Sequence, residues 1–321
     1  MVWDFPIGRT LAIVLRSWPF MVLRVCVYAL YAAVFAILAA SGGLVGHELL
    51  PLAIDGIGAL QGGIFGAMGG VGLGALVVRI AREYTLYLVK AGHIAVMVEL
   101  IDRGALPGGR SQLGFGWDAV RGRFAHASVL FGIDQMIRGA LAGLKKTIMR
   151  AGAAVPLVSL LAGVAHAVAD VALGSLDEII LAHTLRTRSA DPYRGSADAL
   201  VLFAQNGGRM VKNAAWLTLF MMLAFVAIMA LIVGPFVIAF GALEGPVSTY
   251  AIVAAAIAAV FVNVVVLEPL AVCALLQVFV AASDGQSPDP QWEARLSAMP
   301  SFVQLRQGAP DMDAGAAEPA A

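Results

Sequence analysis

Charge is the scarcest property of this 321-residue chain: 13% of its residues are charged and 60% are hydrophobic, whereas an ordinary soluble domain is about 25% charged. That deficit excludes a typical water-soluble domain and points to a membrane protein. Cysteine is equally scarce. Cys26 and Cys273 both lie in apolar runs with no CxxC, which excludes a disulfide framework and a structural zinc site. An excess of either charge sign is also missing, with 21 Lys+Arg against 21 Asp+Glu. Net charge therefore argues for neither nucleic acid nor an acidic partner.

Motifs are missing too. No glycine cluster leads into Lys-Ser or Lys-Thr at phosphate-loop spacing, and neither GxSxG nor HExxH occurs. No cofactor is implied, and enzymes rank below non-enzymatic functions. The N-terminal MVWDFPIGRTLAIVLRSWPF has no basic start, short apolar core or small-residue cleavage site, so it is expected to stay on the mature protein.

Long apolar runs are what the chain does have. A helix needs about 20 apolar residues to cross the hydrocarbon core, and four runs qualify: 25–46, 57–78, 217–240 and 247–282. Lys and Arg mark the cytoplasmic ends of short loops. Arg9, Arg16 and Arg24 precede the first run, residues 79–212 carry most of the basic residues, and 47–56 and 241–247 carry none. The fold expected is all-α: four transmembrane helices in two hairpins, both termini cytoplasmic, in the cell inner (plasma) membrane. The domain plan is an interfacial helix over 1–24, a first hairpin over 25–78, an amphipathic cytoplasmic block over 79–212, a second hairpin over 213–282 and a disordered tail over 283–321. If 153–183 turns back on itself the spans number six.

Within the block, Ser159, His166, Asp170, Asp177, Thr184 and Arg188 fall near one face at about 100° per residue, a polar stripe on an apolar helix. Arg79, Arg82, Glu83, Lys90 and His93 form a similar arc, and with no turn signal at Val78 the second span is expected to run on into that helix. Residues 127–151 gather Asp134, Arg138, Lys145, Lys146 and Arg150 on one side. A basic amphipathic helix of this kind suits an anionic headgroup layer. Asp191 followed by Pro192 marks the start of a further helix.

The most specific pattern is glycine at every fourth position of the second run: Gly58, Gly62, Gly66, Gly70 and Gly74. Small residues let helix backbones approach closely in lipid, so the ladder predicts a tight helix contact. Its partner is expected to be the alanine-rich fourth run or a second copy. The glycine-rich helix of ATP synthase c subunits invites comparison, with Glu268 as the proton carboxylate, but this chain is far longer than that hairpin and its four-residue spacing is a different pattern.

Glu268 is an acid within an apolar run and thus a functional candidate. Counted from an outer end near Val247 it lies about 30 Å along the helix, at the inner interface, where it either caps a kink at Pro269 or binds a proton or cation. Asn263, deeper in, is suited to joining two helices. A candidate polar pathway then comprises Glu268, Asn263, Arg82, Lys90, His93, His166, Asp170, Asp177 and Glu178. His166 and Asp177 lie about 16 Å apart along a helix axis, too far to share a metal ion, and no metal site is expected.

The functions these features allow are binding or moving a lipid or other amphiphile or scaffolding a membrane complex, then transport of a solute or ion, then lipid modification. The partners expected are membrane lipids, anionic ones first, and a second copy or another membrane protein, with no nucleic acid.

Overall fold

The computed structural model describes residues 3–121, 167–168, 170–172, 174–189, 191–240 and 246–307, apart from the side chains of 82–84 and 246–250. Among these residues it is all-helical. The helices are α1 (Ile7–Arg16), α2 (Trp18–Ala53), α3 (Ala59–Arg103), α4 (Gln112–Arg121), α5 (Leu176–Thr187), α6 (Pro192–Gln205), α7 (Gly207–Phe240), α8 (Pro246–Val262), a π-helical turn (Asn263–Leu267), α9 (Glu268–Ser283), α10 (Pro290–Leu296) and α11 (Pro300–Gln307). Four stretches are long and apolar enough to cross a membrane: Trp18–Ala53, Ala59–Arg103, Gly207–Phe240 and Ala251–Ser283. They keep large apolar side chains outside the core, with Leu52, Leu60, Leu231 and Ile238 all more than three-quarters exposed. In water so many exposed apolar groups would be a liability; against lipid they are solvated.

The chain divides into two compact units, Trp18–His93 and Met1–Ser17 with Ile94–Ala321. The domain boundary expected at 78 is crossed by one continuous helix, α3, because nothing there breaks it.

In the unit Trp18–His93, α2 and α3 touch through glycine. Gly42 lies against Gly66 and Gly46 against Gly62, so the helices run in opposite directions where they meet. At the basic end of α2, Phe20 and Arg24 are buried, and the Phe20 ring lies parallel to that of the fully buried His93 with centroids 5.2 Å apart.

The other unit is built around α9, whose Cys273, Ala274, Leu275, Leu276, Val278 and Phe279 are almost fully buried. Helix α1 buries Thr10, Ile13 and Val14, and its Arg9 and Arg16 donate to the carbonyls of Ile101 (2.5 Å) and Gly104 (3.3 Å). These guanidinium groups satisfy acceptors that the end of a helix leaves without partners. Helix α6 starts as its sequence predicts: the Asp191 carboxylate accepts from the N–H groups of Tyr193 and Arg194, and Pro192 sits in the first turn.

Disorder from residue 283 onward was expected, and here the structure differs. Helices α10 and α11 bury Leu296, Phe302 and Leu305, and Arg306 bonds both Asp198 of α6 (2.5 Å) and Glu293 of α10 (2.6 Å). Three apolar anchors and one arginine fork suffice to order a segment whose composition is polar. Residues 308–321 lie outside the described residues. Arg306→Ala is expected to cost about 1 kcal/mol, because the groups are partly exposed, and to speed proteolytic removal of the tail from intact protein. Cleavage at an unchanged rate would show that the apolar anchors hold the tail alone.

Candidate functional site

The π turn prepares the site. In an α-helix residues five apart stand about 140° apart around the axis. An i→i+5 turn brings them toward one face. Here the Glu268 N–H donates to the Asn263 carbonyl, closing such a turn, and Pro269 follows in the first turn of α9. The proline is the physical reason for the irregularity: its ring has no N–H to offer and would crowd the carbonyl of Val265 in a regular helix. The wider turn accommodates it.

Asn263 and Glu268 consequently line one cavity of about 350 Å³, which also takes in Asp170, Ser175, Glu178 and Met221. That volume is at the lower end for small-molecule pockets, about 300–1,000 Å³. Glu178 is buried, Glu268 half-buried and Asp170 exposed, so the carboxyl groups descend from the surface into the fold. Met221 comes from α7 and supplies an apolar wall. None of the described residues lining the cavity is Lys or Arg. Carboxyl groups converging on one space favour a cationic or donor-rich occupant and disfavour an anion. Among the described residues no three His, Cys, Asp or Glu side chains stand close enough to hold a metal ion.

Four of the nine residues of the polar pathway thus meet in one place: Asp170, Glu178, Asn263 and Glu268. Asp177 is half-buried on α5 and does not line the cavity. Lys90 and His93 belong to the unit Trp18–His93, the side chain of Arg82 lies outside the described residues, and so does His166. The candidate anionic-lipid contacts Arg138, Lys145, Lys146 and Arg150 also lie outside them.

Among the described residues of 167–188 the polar stripe is not uniformly wet. Thr184 is buried with its hydroxyl bonded to the Ile180 carbonyl, and the chain turns at Ser175 before α5 begins. Leu176, Ile179 and Ile180 are fully buried and Glu178 nearly so. Packing on both sides of α5 overrides the amphipathic pattern.

The glycine ladder meets α2, which is neither of the partners expected for it. A Cβ on Gly62 would meet the Gly46 carbonyl oxygen, one on Gly66 the Gly42 carbonyl oxygen, and one on Gly70 the Leu38 carbonyl oxygen. A Cβ on Gly74 would meet the Phe35 ring at 3.0 Å, and one on Gly58 would face open space. The matching signal on α2, Gly42 and Gly46 four residues apart, was present in SGGLVG over 41–46.

Sequence reasoning also missed Ser175 and Met221 as cavity residues. Neither carries a local signal, since both are placed by the fold. No protein-family model matches this chain, and neither does any curated protein or solved structure.

Proposed function

We propose that this protein is a multi-pass inner-membrane protein that binds or moves an amphiphile, with the carboxylate-lined cavity as the site for a cationic or donor-rich headgroup. One observation carries the reading: a π turn in a membrane-length apolar helix sets Asn263 and Glu268 into a cavity with Asp170 and Glu178. Lipid tails on the exposed apolar helix faces and a polar head in the cavity would suit one ligand with two ends.

Two further features support a membrane setting. Trp3, Phe5, Trp216 and Phe220 form one aromatic cluster, with Trp3 edge-on to Phe220 at 5.3 Å. Beside it Asp4, Lys212 and Asn213 form a polar clamp. An aromatic layer adjoining a polar one is the pattern of a membrane–water interface. In this reading α2 with α3 and α7 with α8–α9 are two transmembrane hairpins whose basic ends face the cytoplasm, and anionic lipids and a second copy are the natural partners.

The test is binding of dodecyltrimethylammonium to the full chain in a neutral detergent. Wild type should bind it saturably, and Glu268→Gln should weaken binding about tenfold, the scale of one charge-assisted contact. Equal binding by the two proteins, or none by either, sinks the headgroup assignment. Cation flux in proteoliposomes that disappears in Glu268→Gln without a change in amphiphile binding would replace it with a transporter.

A further inference from the structure

A second pocket lies where the end of α3 meets α4 and α5. It encloses about 280 Å³ and is lined by Glu99, Asp102, Arg103, Phe115, Arg186 and Arg188 among others. Two of its arginines are already neutralised. Arg186 Nε donates to both Asp102 oxygens, at 3.0 and 2.9 Å, and Arg103 pairs with Glu99 at 2.9 Å. Asp284 approaches Arg186 from outside the pocket at 3.9 Å and is 79% exposed.

Arg188 is different. It makes no ion pair or hydrogen bond with any described residue, and it is exposed at the pocket wall. It also stands at the C-cap of α5 with φ 54 and ψ 36, the left-handed region, and is the only described non-glycine residue with positive φ. Glycine is the usual occupant of such a position, and any side chain there costs about 1 kcal/mol. An arginine held in this conformation beside a pocket already balanced by two ion pairs leaves one guanidinium without a counter-charge among the described residues.

The surroundings say what kind of anion would reach it. Helix α1, bonded to the end of α3 through Arg9 and Arg16, exposes Ile7, Leu11 and Leu15 in one stripe. Helix α4 turns Phe115 and Ala119 to the pocket and leaves Leu113 and Trp117 exposed. Exposed apolar side chains on α4, which lines the same pocket as the exposed Arg188, fit the headgroup layer of a membrane, where phosphate is the abundant anion.

We infer that the pocket at Arg103, Arg186 and Arg188 is an anion site for a phosphate group, with Arg188 as its primary contact. This site is separate from the carboxylate cavity and takes the opposite charge, so it stands whether or not the headgroup assignment above holds. The phosphate is that of a phospholipid or of a soluble ion, and the guanidinium fork serves either.

The test uses full-length protein in a neutral detergent, titrated with dihexanoyl phosphatidylglycerol and, separately, with inorganic phosphate. Arg188→Gly should weaken binding about tenfold and leave the unfolding midpoint unchanged or higher, because glycine adopts this conformation without strain. Arg188→Lys keeps the charge but loses the fork, so its binding should fall between that of Arg188→Gly and wild type. A loss seen only with the lipid assigns the site to the membrane, and a loss seen with both probes assigns it to the phosphate group itself. Wild type and Arg188→Gly binding both probes equally would overturn the inference.

Discussion

Gly66→Val is expected to destabilise the protein by on the order of 3 kcal/mol, while Gly69→Val on the same helix stays within about 0.5 kcal/mol. A side chain at Gly66 would meet backbone on all sides: the Gly42 carbonyl oxygen, and the Gly46 Cα at 2.8 Å. Backbone cannot rotate away as a flexible side chain can, so α2 and α3 must separate. That separation forfeits dispersion along the whole contact, and in lipid no hydrophobic force offsets the loss. A Cβ at Gly69 or Gly72 would have nothing within 4 Å, so a larger residue there meets only the surroundings. Thermal unfolding in a neutral detergent measures both. Gly42→Val should cost about as much as Gly66→Val, and the double variant should cost less than their total, since one separation relieves both clashes. Equal, mild effects at Gly66 and Gly69 would mean that α2 is not the ladder's partner.

That contrast shows what a sequence can and cannot specify here. Four-residue spacing assigned the glycines to one helix face, but a face does not name its partner. The answer lay in Gly42 and Gly46, whose own spacing only acquires meaning once α2 and α3 are set side by side. The membrane-length helices were legible because each apolar run is long and bounded, and the continuity of α3 past Val78 followed from the lack of any breaker. The start of α6 was legible because Asp191 and Pro192 act locally, through bonds to the next two or three residues.

Features that depend on distant residues were not legible. In a segment as uniformly apolar as 251–262 there is no polar marker of phase, so the wider turn at Asn263–Leu267 leaves no trace in periodicity. Only Pro269 hints at it. The tail was misjudged for the opposite reason: its Pro, Asp and Glu content is what chains without a core have, and Leu296, Phe302 and Leu305 are too few to stand out until α6 offers them a surface. Both pockets join residues 80 or more positions apart, Glu99 with Arg186 in one and Glu178 with Glu268 in the other.

The second large effect should come from Asp4. Asp4→Ala is expected to cost about 2–3 kcal/mol at neutral pH, because its carboxylate fastens both Lys212 and Asn213. Lys212 Nζ lies 2.8 Å from its Oδ2, the Asn213 amide donates to the same oxygen at 2.8 Å, and the Asp4 N–H returns a bond of 2.7 Å to Asn213 Oδ1. Asn213 is fully buried, so an amide proton there that loses its acceptor is costly. The hydrogen bonds from Lys212 and Asn213 hold the Asp4 carboxyl below the ordinary aspartate value of 3.8. A depressed folded value means that the folded state binds the proton less readily than the unfolded state does. The stabilisation is therefore complete above about pH 5, begins to fall as pH drops through 3.8, and is lost as pH passes the lower folded value. Asp4→Asn keeps the shape and one acceptor while removing the charge, so it should sit between wild type and Asp4→Ala at pH 7 and lose its deficit relative to wild type in acid. Unfolding midpoints measured from pH 7 to pH 3 test this directly. A gap between wild type and Asp4→Asn that stays constant over that range would show that the clamp works by shape alone, and that the Lys212 charge contributes nothing to fastening the N-terminal segment to α7.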